Sequence, residues 1–507
     1  MIRLIIQPLT HANINIYMSF KGSRFFIFLP LLMFPLLIVA QNNRKLTEEV
    51  DVLKKDDAMK HAVFSICVAN TSEDSIIYEY NSQISLVPAS TIKIATTGAA
   101  LSILGKDFLF ETKIQYDGSY DSLNGIINGN LYITGGGDPT LESEFFKRKK
   151  DSISLVVRWA RILHAKGIKK ITGAVIGDAS IFEDNMTPDE WIWGDMGNYY
   201  GAGACGLSYH DNKYSILFNS GEVGTKPSVA KILPTVYGLQ LTSNLTANGT
   251  DDNAYIYGAP YDNSRFVNGT IPPNQTEYKV EGSIPDPALF CAEKLTRALK
   301  IEKVTIGEKP STVRAMKMKK TFSQKKKRTI HIHYSPSLDT IVHLTNLRSI
   351  NLFAESMLKY MSYKKSGKGT EADGIAIIMD FWKRQGIDIS GLFLTDGCGL
   401  ARANTITTRT QTQMLQVMAK DKNFKVFYNS LPIAGKSGSL GGLCVGSFAE
   451  NNMHAKSGYM NRARGYSGYV RNRKGELLCF SLLANNYDCS PTEMKKKLEK
   501  LLIAITE

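Results

Sequence analysis

Several common signatures are missing from this 507-residue chain. Its seven cysteines, Cys67, Cys205, Cys291, Cys398, Cys444, Cys479 and Cys489, form no Cys-x-x-Cys pair. That spacing rules out zinc ribbons. His-Glu-x-x-His is absent, and so is a Gly-x-Ser-x-Gly elbow, which disfavours zinc peptidases and α/β-hydrolases. Ala434-Gly-Lys-Ser437 looks like the tail of a phosphate-binding loop, but the required first glycine falls on Ser430. There is no internal repeat. After residue 40 no apolar run is long enough to cross a bilayer. A charged fraction of 21% beside 43% hydrophobic residues excludes a wholly disordered chain and a multi-span membrane protein.

What is present begins with an apolar stretch. Phe25 to Ala40 carries no charge and follows Lys21 and Arg24. A basic flank, an apolar core and a small residue at Ala40 describe a secretory signal, with Met18 as a possible start and an uncleaved anchor as the alternative. No cysteine stands at the cleavage point, so a lipoprotein is not indicated. The formal net charge is +14. Without Arg3, Lys21 and Arg24 it becomes +11 on 467 residues. Such an excess suits nucleic acid or an anionic envelope polymer, and charge alone does not choose. Cys479 and Cys489 can pair, although isolated buried thiols are the plainer reading. His331-Ile-His333 would point one way on a strand, with no third ligand nearby, so no metal is expected.

The texture of the chain divides it. Residues 62–68 and 78–82 read as a hairpin, and an apolar helical run follows Pro88. From about 113 short strands alternate with turns such as Asn124-Gly and Asn128-Gly. A helix is expected at 151–166, a strand at 173–177 and a helix at 287–299. Lys317 to Arg328 is a basic run, read as a solvated loop or edge hairpin. Helical texture returns with 347–363 and 375–385. The end is a meander, 454–460, 465–471 and 476–485, closed by a helix at 491–504. The expected organisation is a signal segment at 1–40, an α/β catalytic domain from 41–112 and 329–507, and a β-rich insertion at 113–328. The catalytic part would be an antiparallel sheet flanked by helices.

Three short motifs carry chemistry. Ser90-Thr-Ile-Lys93 opens the helix after Pro88, and residues three apart share a helix face. A desolvated Lys93 near other cations can lose its proton and accept one from Ser90, making a nucleophile without histidine. The same spacing at Ser323–Lys326 and Ser362–Lys365 lies in Lys-rich, solvated stretches. Ser349-Ile-Asn351 places a proton relay and an amide two residues apart, as does Ser122-Leu-Asn124. Lys-Ser-Gly stands at Lys436-Ser437-Gly438 and at Lys456-Ser457-Gly458. Lys456 begins a strand, where glycine permits close backbone approach, whereas Lys436 reads as a loop. Lys456 is therefore the preferred copy.

Ser-x-x-Lys, Ser-x-Asn and Lys-Ser-Gly in this order resemble the signature of penicillin-binding proteins and serine β-lactamases. Gly135-Gly-Gly-Asp-Pro-Thr-Leu141, Asp178-Ala-Ser-Ile-Phe182, Trp191-Ile-Trp-Gly-Asp195, Asp396-Gly-Cys-Gly-Leu-Ala-Arg402 and Leu431-Pro-Ile-Ala-Gly435 narrow the likeness. They resemble the D-alanyl-D-alanine carboxypeptidase/endopeptidases of the PBP4 (DacB) type, peptidase family S13, over about 50–485. The resemblance implies Ser90 as the acylated nucleophile, Lys93 as its base and Ser349 as proton carrier. It implies Asn351 as amide binder, and Lys456 and Ser457 as holders of the substrate carboxylate. The N–H groups of Ser90 and Tyr459, next to Gly458, would form an oxyanion hole. Asp195 would bind a free amino group, Tyr200 would cover Ser90, and Met460 would line the side-chain pocket. Ser457 replaces the commoner threonine, and Cys398 stands where serine is usual.

The implied activity is a penicillin-sensitive serine DD-carboxypeptidase/DD-endopeptidase on peptidoglycan stem peptides, needing no cofactor and inhibited covalently by β-lactams. It would be exported, periplasmic in a Gram-negative cell, with peripheral wall or membrane association and no nucleic-acid partner. A β-lactamase or D-aminopeptidase of the same superfamily, or a silent peptidoglycan-binding protein, remains as an alternative. The 255 residues between Lys93 and Ser349 argue against a small β-lactamase.

Overall fold

The computed structural model describes residues 44–73, 75–146 and 153–507. The apolar segment expected to be a signal lies outside the described residues. So do residues 151 and 152 at the start of the helix expected over 151–166, which runs Leu155–Ala165. Residues 45–507 form one compact unit.

The sheet that carries the motifs is assembled from both ends of the chain. Strand β1 (Val63–Asn70) pairs with β2 (Ile76–Tyr80), and helix α1 (Lys93–Leu104) follows. After a long excursion come α2 (Leu338–Arg348), α3 (Asn351–Ser366), α4 (Glu371–Arg384) and α5 (Thr408–Lys420). The meander β3 (His454–Met460), β4 (Ala463–Arg471) and β5 (Leu477–Asn485) is closed by α6 (Pro491–Ala504). The strand order is β2-β1-β5-β4-β3, and every pairing is antiparallel. Strand β3 is thus the edge strand of this sheet, and Ile433 bridges to its first residue, His454.

Alternating side chains load both faces of this sheet, as a two-residue period requires. Leu478, Phe480, Leu482 and Ala484 of β5 pack with Leu46 and Val50 of the helix Arg44–Lys54 and with Met494, Leu498 and Leu502 of α6. Cys479 and Leu483 point the other way, into a layer built from α1, α3, α4 and α5. Helix α1 lies at the centre of that layer, buried from Lys93 to Leu101. A helix enclosed on all sides has no amphipathic stripe, and its sequence shows none. All seven cysteines stand as thiols, six of them buried, and Cys479 is not joined to Cys489.

The helix expected over 347–363 is two helices. Ser349 takes a left-handed conformation, φ 60° and ψ 38°, and closes α2 before α3 restarts at Asn351. A non-glycine residue there is strained by about 1 kcal/mol or more, so the surrounding packing enforces the break.

The excursion is β-rich. Its largest sheet runs Ser311–Thr312, Val175–Asp178, Leu131–Thr134, Glu111–Tyr116, Arg328–Tyr334. The first and last of its strands in the chain, Glu111–Tyr116 and Arg328–Tyr334, pair antiparallel. The chain therefore sets out on this excursion and returns from it along two neighbouring strands. A four-stranded sheet in the order Thr305–Ile306, Lys170–Ile171, Ile126–Asn128, Ser119–Asp121 lies in it too, with two three-stranded sheets centred on Lys213–Asn219 and Ser264–Ile271. Gly135 and Gly137 donate their N–H groups to the carbonyls of Asp178 and Gly206, so that turn serves the fold and is no anion cradle.

Candidate active site

Ser90 does not open an α-helix. It sits in a 3₁₀ turn, Ala89–Ile92, and regular helix begins at Lys93. Ala89 before it is left-handed, φ 47°. Three contacts hold this turn. Asn485 at the end of β5 exchanges two hydrogen bonds with the backbone of Val87, 2.8 and 3.1 Å. Gln411 of α5 donates to the Thr91 carbonyl at 2.9 Å and accepts from Ser481 of β5 at 2.8 Å. Gly399, at φ +83°, lies against the Ala89 carbonyl, where a Cβ would come within 2.0 Å. Strain concentrated in one tight turn is a mark of a functional site.

Lys93 has no exposed surface. Its Nζ donates to Ser90 Oγ at 3.1 Å, Asn351 Oδ1 at 2.7 Å and the Cys398 carbonyl at 2.6 Å. Burial lowers its pKa, opposed by the nearby Cys398, Asp396 and Glu355. This geometry fixes where the lone pair of a neutral Lys93 would point. A neutral amine has two N–H bonds and one lone pair. The amide and carbonyl oxygens accept the two hydrogens, so the lone pair is left for Ser90 Oγ.

Strand β3 brings the second lysine. Lys456 is fully buried, and its Nζ donates to Ser349 Oγ at 3.0 Å and to the Ser457 carbonyl at 2.8 Å. Burial, then the charge of Lys93, pushes its pKa well below the ordinary lysine value. Gly458 presses on the Ser90 turn, where a Cβ would lie 2.4 Å from the Pro88 carbonyl and 3.1 Å from the Ser90 nitrogen. Any side chain at 458 would push the strand edge away from Ser90. Tyr459 is half-exposed with its ring 4.8 Å from the Arg464 guanidinium, and Met460 ends the strand part-exposed. Lys436, by contrast, lies in an exposed turn.

The insertion supplies a wall. Asn351 Nδ2 donates to the Tyr200 carbonyl at 2.8 Å, which orients the amide so that its oxygen faces Lys93. The Tyr200 hydroxyl donates to Asp195 Oδ1 at 3.3 Å. Burial raises the pKa of both, and the Asp195 charge raises Tyr200 further. The sequence-based candidates Ser90, Lys93, Ser349, Asn351, Lys456, Ser457 and Gly458 thus converge. Asp195 and Tyr200 pair with each other and reach the group through the Tyr200 backbone. Met460 is joined only by its place on β3.

Motif reading missed the group beneath Lys93. Asp396 is fully buried and accepts five hydrogen bonds. Oδ1 takes the N–H of Cys398 (3.1 Å), the N–H of Gly399 (2.6 Å) and Asn404 Nδ2 (2.8 Å). Oδ2 takes the N–H of Ala401 (2.7 Å) and Trp191 Nε1 (2.9 Å) from the insertion. The folded turn aims the Cys398 carbonyl at Lys93. Glu355, one helical turn after Asn351, accepts the Gly397 N–H at 2.9 Å and is pushed up to about 8 by burial and the Asp396 charge. Glu355, Asp396 and Cys398 offer ligand atoms within 4.8 Å of one another. Both Asp396 oxygens are already taken by N–H donors, so the group reads as a support for Lys93. The Asp-Gly-x-Gly spelling, typical of tight turns, was the available signal.

The sequence profile of the D-Ala-D-Ala carboxypeptidase 3 (S13) family matches residues 46–505. The chain is 27% identical to the D-alanyl-D-alanine carboxypeptidase of Actinomadura sp. strain R39, over 87% of this chain and 81% of that one. It is 24% identical to the D-alanyl-D-alanine carboxypeptidase DacB of Haemophilus influenzae, over 85% and 87% respectively. The crystal structure of penicillin-binding protein 4 (dacB) from Haemophilus influenzae superposes with a TM-score of 0.74 at 22% identity. That match covers 91% of this chain and 97% of the other, and shows that the two share a fold.

Proposed function

Since this chain belongs to the D-Ala-D-Ala carboxypeptidase 3 (S13) family, we propose that its Ser90–Lys93 pair is the acylating centre of a penicillin-sensitive serine DD-peptidase. The observation that carries the assignment is the buried Lys93 Nζ, 3.1 Å from Ser90 Oγ with its other two directions occupied. Neutral Lys93 takes the Ser90 proton as Oγ attacks the carbonyl carbon of the penultimate D-alanine. The backbone N–H groups of Ser90 and Tyr459 receive the developing oxyanion. Ser349, bonded to Lys456, passes a proton to the leaving amine, and terminal D-alanine or the cross-linked peptide departs. Water then attacks the acyl-enzyme, its proton refilling the Ser349–Lys456 pair, while Lys93 returns the proton it took to Ser90 Oγ and the acid is released.

The remaining residues bind. Asn351 holds the substrate amide, while Lys456 and Ser457 hold its terminal carboxylate. An arriving carboxylate favours the charged form of Lys456, offsetting the burial that suppresses it. Asp195 takes a free amino group of the stem peptide, Tyr200 covers Ser90, and Met460 lines the side-chain pocket. β-Lactams acylate the same oxygen, and the amine they release stays tethered. The test is mass mapping after incubation with benzylpenicillin, run beside D-alanine release from a stem pentapeptide. One adduct on the Ser90 peptide is expected; an adduct elsewhere, or none with active enzyme, refutes the assignment.

A peptidoglycan substrate places the enzyme outside the cytoplasm, in the periplasm of a Gram-negative cell. No helix among the described residues is long and apolar enough to cross a membrane. The basic run gives a surface for wall association. Lys317 in the helix Val313–Met318, and Lys319, Lys320, Lys325 and Lys326 between it and the edge strand Arg328–Tyr334, are exposed. Exposed charges of one sign attract an anionic polymer through a field that salt screens. Co-sedimentation with purified wall should fall several-fold between about 0.05 and 0.5 M salt, where the Debye length shrinks from above about 10 Å towards 3 Å. Binding indifferent to salt contradicts this attachment.

A further inference from the structure

The geometry points to Ser439 as a positioning residue for the carboxylate-binding hydroxyl of Ser457, an inference that rests on the carboxylate site proposed above. The loop 432–440 contains the second Lys-Ser-Gly copy, which the acylating centre does not use. Its own hydrogen bonds explain its rigidity. The Ile433 N–H donates to Ser437 Oγ at 3.0 Å, and the Gly435 N–H to the Leu440 carbonyl at 2.9 Å. The loop is also stitched to β3 and to the residue before it. The Ala455 N–H donates to the Pro432 carbonyl and the Ala434 N–H to the Met453 carbonyl, both at 2.9 Å. Buried Leu440 anchors its far end. The copy therefore serves as a scaffold, with Ser437 spent on folding the loop.

The next hydroxyl is placed differently. Ser439, in the 3₁₀ turn Gly438–Leu440, accepts a hydrogen bond from Ser457 Oγ at 2.6 Å. A serine hydroxyl has one proton, and a carboxylate is a pure acceptor. In the free protein the Ser457 proton is given to Ser439. To bind a carboxylate, Ser457 must turn that proton towards it. Its oxygen then accepts the Ser439 proton, so the 2.6 Å contact is kept with donor and acceptor exchanged. Ser439 thereby fixes the Ser457 rotor and polarises its O–H towards the ligand. No bond is made or broken.

The experiment compares two D-alanyl thioesters, one whose leaving group ends in a carboxylate and its methyl ester. Ser439→Ala should raise KM for the carboxylate form about tenfold, the order of one charge-assisted hydrogen bond, with kcat nearly unchanged. The methyl ester should be hydrolysed as by wild type, and Ser439→Thr should restore the carboxylate preference. Equal effects on both esters, or none on either, overturn the inference. Ser457→Ala separates the two layers. If it discriminates between the esters and Ser439→Ala does not, only Ser439 is misassigned. If Ser457→Ala does not discriminate, the carboxylate site is wrong and this inference falls with it. Penicillin-labelling stoichiometry counts folded sites in every variant.

Discussion

Lys93→Met is expected to slow acylation of Ser90 by about 10³-fold, within the usual range for a positioned general base. Methionine fills much of the same volume and keeps α1 packed, so the loss should be chemical and the melting temperature little changed. The pH profile separates this reading from a structural one. Acylation needs neutral Lys93, so the rate rises as pH climbs through the Lys93 pKa. Burial lowers that pKa, and the acid limb therefore lies below the range of a free lysine. In Lys93→Met the limb should vanish. Lys456→Ala should also abolish labelling by a fluorescent penicillin, because it removes the partner of Ser349 and the carboxylate site together. Lys436→Ala, in its exposed turn, should label as wild type. A Lys93→Met protein that acylates at the wild-type rate would falsify the base assignment; loss at Lys436 and retention at Lys456 would reverse the choice of motif.

The second large effect is expected away from the motifs. Asp396→Ala should destabilise the protein by about 5 kcal/mol or more, since five buried N–H donors lose their acceptor at roughly 1–3 kcal/mol apiece. Those donors belong to Cys398, Gly399, Ala401, Asn404 and Trp191. The turn would loosen, the Cys398 carbonyl would leave Lys93, and the insertion would lose its Trp191 tie to the catalytic part. Denaturant unfolding and penicillin acylation should fall together. An Asp396→Ala protein with an unchanged unfolding midpoint would show that the turn holds itself, and that Asp396 is dispensable to Lys93.

Much of this protein was legible from residues near one another in the chain. The meander, the terminal helix and the hairpin at 63–80 follow from periodicity and turns, both local properties. Ser90 and Lys93 are three residues apart, and Ser349 and Asn351 two, so each pair is positioned by a single turn of backbone. The spelling Lys-Ser-Gly on a strand edge favoured Lys456, and family likeness supplied the order of the parts.

Other features depended on contacts that no local pattern encodes. The break at Ser349 is imposed by packing on a residue that does not itself prefer a left-handed conformation. The acceptors that aim Lys93 are an amide 258 positions away and a carbonyl 305 positions away, and a carbonyl has no side-chain spelling. Asp396 reads as a turn former until the fold gathers five donors around it. The second Lys-Ser-Gly reads as a rival motif until tertiary structure lays Ser439 against Ser457. The sequence by itself determined which groups can do the chemistry, because that depends on residue type and short spacing. Only the tertiary structure decided where the Lys93 lone pair points and which lysine is buried, because those depend on long-range closure of the chain around them.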